Sequence, residues 1–170
     1  MSVPIINKVS ESGLISLDLT SFIDPTPIVL FDIKQYLFME LILKEKDYRA
    51  ALLQIDFSVY QNKFVGIVCS VDAIIPMWAY MLAASYLQPF AKKVMMGTEE
   101  KIVEQIMLEQ INEIDPTQFA DKRIVVKGCG EKKIPESAYV AITNKLRPVA
   151  KSIMYGEPCS TVPIYKNKSV

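Results

Sequence analysis

The chain contains no histidine among its 170 residues. That absence removes Ser-His-Asp and Cys-His nucleophile pairs, imidazole ligands for zinc and the side chain that most readily trades protons near neutrality. Any catalysis must run on Cys, Asp, Glu, Lys, Tyr or a bound cofactor. An excess of one charge is missing too: 19 Lys and Arg balance 19 Asp and Glu. Without a basic face, nucleic acid is not an expected partner. No Gly/Ser-rich linker, low-complexity run or internal repeat is evident. A single domain over residues 1–170 is therefore expected, long enough to bury a core, and a composition 51% hydrophobic and 22% charged is that of a globular chain.

The start, Met1-Ser2-Val3-Pro4, lacks the basic-then-apolar pattern of a signal peptide. Three cysteines, an odd number outside a secreted framework, point to reduced thiols and a cytoplasmic location. Residues 73–91 carry no charge over a length that raises the membrane question. The run contains Pro76, Ser85, Gln88 and Pro89 and lies between two strand-like segments. It reads as a helix buried in a core, apolar all round, and no membrane span is expected.

Strand and helix signals alternate. Ile15, Leu17 and Leu19 alternate with Ser16, Asp18 and Thr20, a strand with one wet face. Asp24-Pro25-Thr26-Pro27 is a turn, residues 28–31 form a short strand, and helical pieces follow over 33–38 and 45–55. Phe64-Val65-Gly66-Ile67-Val68 has the continuous apolar character of a strand buried on both faces. A helix over 74–90, a strand over 93–96 and a helix capped by Thr98 come next. A strand over 124–126, a helix from Pro135 to Leu146 and a strand over 152–155 complete the pattern, with a short edge strand over 161–165. Such alternation predicts an α/β fold, Rossmann-like or flavodoxin-like: three layers, with helices on both faces of a mostly parallel sheet. Residues 1–62 would form an N-terminal strand and helical extension to a core over 63–165.

In this layout Cys69, Cys129 and Cys159 all fall at carboxyl ends of strands, where ligands bind in open parallel sheets. Thiolates are soft ligands suited to zinc or an iron–sulfur cluster. Three of them leave one coordination position open, and Asp72, Glu131, Glu136 and Glu157 are nearby carboxylates that could fill it. Asp72 stands out because it lies at the edge of the uncharged run, where it could equally be a helix N-cap. Gly128 and Gly130 would let backbone approach a cofactor and adopt positive φ. Cys69 and Cys129 each precede a helix, whose free N–H groups and dipole favour thiolate. There is no CxxC or other local ligand motif and no Cys-x5-Arg phosphate loop. A shared metal or cluster site, one reactive thiol (Cys129, between two glycines) and inert core cysteines therefore all remain open. Trp78, Tyr80 and Tyr86, at helical spacing, read as core.

Several segments are similar to those of an uncharacterised bacterial family, domain of unknown function 2480. They are Phe31-Asp32-Ile33-Lys34, Glu45-Lys46-Asp47-Tyr48-Arg49, Asp72-Ala73-Ile74-Ile75-Pro76, Val126-Lys127-Gly128-Cys129-Gly130, Pro135-Glu136-Ser137-Ala138-Tyr139 and the long run from Leu146-Arg147-Pro148 through Gly156-Glu157-Pro158-Cys159-Ser160. The resemblance covers nearly the whole chain and hands over no catalytic residues. It implies a role in building, carrying or sensing an iron–sulfur cluster, with iron–sulfur assembly proteins as partners. The alternatives are a thiol enzyme of sulfur or persulfide transfer using Cys129, and a non-catalytic adaptor with buried cysteines. Apolar helix surface is expected to be covered by a second copy, giving a homo-oligomer.

Overall fold

A computed structural model describes residues 7–8, 13–128, 130–157 and 159–167. Its elements in chain order are β1 (Asn7–Lys8), β2 (Leu14–Asp18), β3 (Ile28–Asp32), α1 (Glu45–Leu52), β4 (Phe64–Val68), α2 (Met77–Leu87), β5 (Lys93–Met96), α3 (Glu99–Glu113), β6 (Arg123–Lys127), α4 (Glu136–Leu146), β7 (Ser152–Glu157) and β8 (Ser160–Lys166). Short 3-10 turns cover Leu19–Phe22, Ile33–Tyr36, Phe57–Tyr60 and Pro116–Phe119. No helix among the described residues is long and apolar enough to cross a membrane.

The α/β character and the mostly parallel pairing agree with the sequence, but the strands do not form one sheet. They divide into β1-β2-β6-β7-β8 and β3-β4-β5. The chain correspondingly has two compact units, Pro25–Val103 (the inserted unit) and the described residues of Met1–Asp24 with Glu104–Val170 (the discontinuous unit). Strands buried on both faces look alike in sequence whichever sheet they join, so the apolar runs marked the strands without assigning their neighbours.

Each unit has the same three-stranded parallel centre. In the inserted unit Ile28 pairs with Phe64 and Phe64 with Lys93. In the discontinuous unit Leu14 pairs with Arg123 and Arg123 with Ser152. A shift of 59 positions, without a gap, carries residues 45–97 onto 104–156. It superimposes Asp56 on Asp115, Ile75-Pro76 on Ile134-Pro135, Ala79-Tyr80 on Ala138-Tyr139, Leu87 on Leu146, Ala91-Lys92 on Ala150-Lys151 and Gly97 on Gly156. A shift of 14 positions carries the first strand of one unit, with its Asp32, onto the other, with its Asp18. The expectation of no internal repeat is thus corrected: the chain contains a duplicated unit, one copy inserted within the other.

Local chemistry repeats with it. Asp18, Asp32, Asp56 and Asp115 each cap a 3-10 turn by accepting from the backbone N–H two residues on. Asn62 and Asp121 hold φ of 58° and 56°, a left-handed conformation that these residue types tolerate. Their N–H groups donate to the carbonyls of Phe90 and Val149. Gly97 and Gly156 share φ of 124° and 120°, where a side chain would be strained.

The cores differ. Phe31, Tyr36, Phe57, Tyr60, Tyr86 and Phe90 form a connected ring cluster in the inserted unit, and Trp78 packs on the fully buried Tyr48. Their counterparts include Leu17, Phe22, Met107, Pro116, Lys145 and Val149. The uncharged run becomes a helix shorter than expected, bounded by Pro76 and Pro89. It is not buried all round. Ala79, Ala83 and Leu87 are inaccessible, while Met77 and Met81 face solvent.

Candidate functional site

The carboxyl edge of β2-β6-β7 in the discontinuous unit carries a charged trio. Asp18 ends β2, Lys127 ends β6 and Glu157 ends β7. The Lys127 Nζ lies 3.7 Å from Asp18 Oδ2 and 3.9 Å from Glu157 Oε2. Asp18 is held in place because its Oδ1 accepts from the Thr20 N–H at 2.9 Å and from the Thr20 hydroxyl at 2.7 Å. All three heads are partly exposed, so the pairing contributes little to stability. It does fix an ammonium group at a strand end.

Directly after Lys127 comes Gly128-Cys129-Gly130. A Cβ on Gly128 would collide with the hydroxyl of Tyr139. Gly128 does not have positive φ. Its lack of a side chain makes room for the phenol, which corrects the conformational role expected of it. A Cβ on Gly130 would sit 3.4 Å from the Thr20 methyl. Tyr139 meets Tyr155 edge-on, with ring centroids 5.8 Å apart and planes at 77°. The loop is therefore bordered by an ammonium, two carboxylates and a phenol. Cys129 itself lies outside the described residues.

The same edge of the inserted unit is different. Asp32 remains, accepting from the backbone N–H groups of Lys34 at 3.0 Å and Ser70 at 3.1 Å. Burial would raise its pKa, but hydrogen bonds from the Ser70 hydroxyl and the two N–H groups, with the Lys34 charge, outweigh this and lower it. Lys127 is replaced by Val68, Gly128 by Cys69, Cys129 by Ser70, Tyr155 by Met96 and Glu157 by Thr98. The Cys69 thiol donates to the Val71 carbonyl at 3.5 Å and packs against the core. Tyr80, the counterpart of Tyr139, has its pKa raised by burial and then by Cys69.

The predicted site residues are thus distributed over both units. Cys69 and Asp72 belong to the inserted unit, and Gly128, Gly130 and Cys159 to the discontinuous one. Cys159 is exposed in the turn joining β7 to β8. Asp72 is exposed in a loop and is not a helix cap, since α2 begins at Met77 behind Pro76. Cys69 lies eight positions before α2, which begins at Met77, and α4 begins at Glu136, seven positions after Cys129 in sequence. Among the described residues no group of three or more Cys, Asp and Glu is placed to hold a metal ion. Asp18, Lys127 and Tyr139 were not singled out from the sequence. The signal that finds them is the 59-position shift, which sets Lys127 against Val68 and Glu157 against Thr98.

The chain belongs to the family described as protein of unknown function (DUF2480), whose family model matches residues 3–167. No curated protein and no solved structure matches it.

Proposed function

We propose that the protein performs thiol chemistry at the carboxyl edge of β2-β6-β7, with Cys129 as a carrier of sulfane sulfur. The observation that carries this reading is the trio of Asp18, Lys127 and Glu157, present at one of the two corresponding sheet edges and adjoining the only cysteine set between two glycines. Thiolate is the reactive form of cysteine, and a neighbouring ammonium favours it. In a chain without histidine, Lys127 is the cation available two residues before Cys129.

In the step proposed, the Cys129 thiolate attacks the outer sulfur of a persulfide donor, R–S–SH. A bond forms between Cys129 Sγ and that sulfur while the donor S–S bond breaks. The thiolate R–S⁻ leaves with the electron pair, and the proton stays on the transferred sulfur. No net oxidation or reduction occurs. Lys127 would stabilise the attacking thiolate, and the Tyr139 hydroxyl beside Gly128 would donate to the persulfide formed.

A second reading, ligation of zinc or an iron–sulfur cluster by Cys129 and Cys159, is favoured by one observation. The Lys127–Glu157 pair links the strand end that leads into Cys129 with the one that leads into Cys159. Either reading suits the cytoplasm, where thiols stay reduced, and iron–sulfur assembly proteins as partners. The three-layer arrangement of the α/β fold forms part of the same proposal.

The test is to incubate the reduced protein anaerobically with glutathione persulfide and map the added sulfur by mass spectrometry. Sulfur on Cys129, lost in Cys129→Ser and slowed in Lys127→Met, supports the carrier. Iron with sulfide, or stoichiometric zinc, in anaerobically purified protein, lost in both Cys129→Ser and Cys159→Ser, supports the second reading instead.

A further inference from the structure

The two units also differ along one helix face. Met77, Met81, Ala84 and Gln88 follow one another at intervals of four, three and four along α2 and its C-cap. That spacing is the seam of a helix that packs on another helix. Yet Met77 and Met81 are 71% and 72% exposed, and Ile74, just ahead of the helix, is 92% exposed. The matching positions of the discontinuous unit hold Lys133, Glu136, Val140, Thr143 and Arg147, an ordinary solvated helix face. There the Arg147 guanidinium lies over the ring of Tyr165 in β8, with Cζ 4.8 Å from the centroid. The seam of α2 is also uneven along its length. Ile74, Met77 and Met81 are bulky, whereas beyond Met81 a groove of 790 Å³ opens, lined in part by Ala84, Ser85, Gln88 and Ala91.

We propose that this face is the interface of a homodimer, with α2 packed antiparallel on the α2 of a second copy. A twofold axis through the midpoint of Leu82 and Ala83 sets Met81 against the second copy's Ala84 and Met77 against its Gln88. The same axis brings Ile74 toward the second copy's Ala91. The bulky half of each copy then fills the groove half of the other, and a large side chain meets an alanine at two of these three levels. A twofold interface requires a surface complementary to itself in this way.

Charge supports the same occupant. Residues 73–91 carry none, so the seam meets itself without the like-charge contacts that penalise a wrong partner. The fit of one half to the other selects a second copy over an unrelated helix. At about three turns the contact lies at the low end of specific interface sizes, which corresponds to dissociation in the micromolar range. This inference does not depend on the thiol chemistry.

The experiment is sedimentation velocity of the full chain under reducing conditions, from about 1 to 300 µM, a range that brackets micromolar dissociation. A reversible monomer–dimer equilibrium is expected. Met81→Glu should weaken it about a hundredfold, because each dimer loses two buried methionines. Two further variants test the register, Met77→Glu and Gln88→Arg. Both sites are exposed, and the other unit carries Glu136 and Arg147 at the matching positions, so the shared frame accepts them. Met77→Glu should pair about two- to fivefold more tightly with Gln88→Arg than with the native chain, the scale of one exposed ion pair. A thermal melt of each variant verifies folding. A chain that is monomeric throughout the range overturns the proposal and leaves the stripe to a helix of another protein. A dimer indifferent to Met81→Glu, or a Met77→Glu chain without preference for Gln88→Arg, overturns it by placing the interface elsewhere or in another register.

Discussion

The two units share strand register, turn caps, glycine conformations and the boundaries of α2 and α4, yet differ in what fills the common frame. The inserted unit invests in packing: stacked rings around Phe57 and a cysteine bonded to its own loop. The discontinuous unit has the polar groups. Lys127 replaces Val68, and Ser137 replaces Trp78, with the Ser137 hydroxyl donating to Glu104. Features kept in both copies belong to the frame, and features found in one alone are candidates for function. Asp18 and Asp32 illustrate the first class, and Lys127 with Glu157 the second.

The largest expected effect tests the equivalence itself. Leu87 and Leu146 are inaccessible at matching positions near the ends of α2 and α4. Truncating either to Ala should cost about 2–5 kcal/mol, as measured by urea unfolding. Equal costs sharpen the comparison, and a marked inequality breaks it.

A smaller effect concerns acid stability. The Asp32 carboxyl titrates below its ordinary value in the folded chain, so the stability it contributes is present above the unfolded pKa and is lost as pH falls through the folded one. Replacing it, Asp32→Asn, should therefore lower stability at pH 7 by about 1 kcal/mol, the scale of a turn or helix cap. The difference should vanish in strong acid, as followed by unfolding curves from pH 7 to 2. The smallest change is Arg147→Gln, which makes the discontinuous unit resemble its copy. Loss of the contact over Tyr165 should cost about 0.5–1 kcal/mol, read as a slight fall in the midpoint of thermal unfolding.

Much of this fold is legible in the sequence. Strands over 64–68, 93–96, 124–126 and 152–155 were marked by apolar runs ended by glycine or loop residues, and the observed strands lie on them. The division into two sheets was not legible, because Val65 and Ile124 are equally buried and equally apolar in either. The repeat was masked by interleaving. Its first strand is separated from the remainder of its unit by the whole inserted copy, so two different shifts are needed to align it. The site was half legible. The glycines around Cys129 located the loop, while Lys127 drew no notice because its meaning comes only from Val68 at the matching position. The helix-dipole argument for Cys69 weakens because seven residues, 70–76, separate it from the start of α2.

The central claim is that thiol chemistry belongs to one edge and depends on Lys127. The measurement that tests it most directly is the alkylation rate of each cysteine by iodoacetamide, resolved by mass spectrometry from pH 5 to 10 in the native chain and in Lys127→Met. The account predicts that Cys129 reacts first, with its midpoint below the ordinary thiol value of about 8.5. In Lys127→Met that midpoint should rise by about one unit while Cys69 and Cys159 are unchanged. A Cys129 that reacts no faster than Cys69, or a rate indifferent to Lys127, would contradict it.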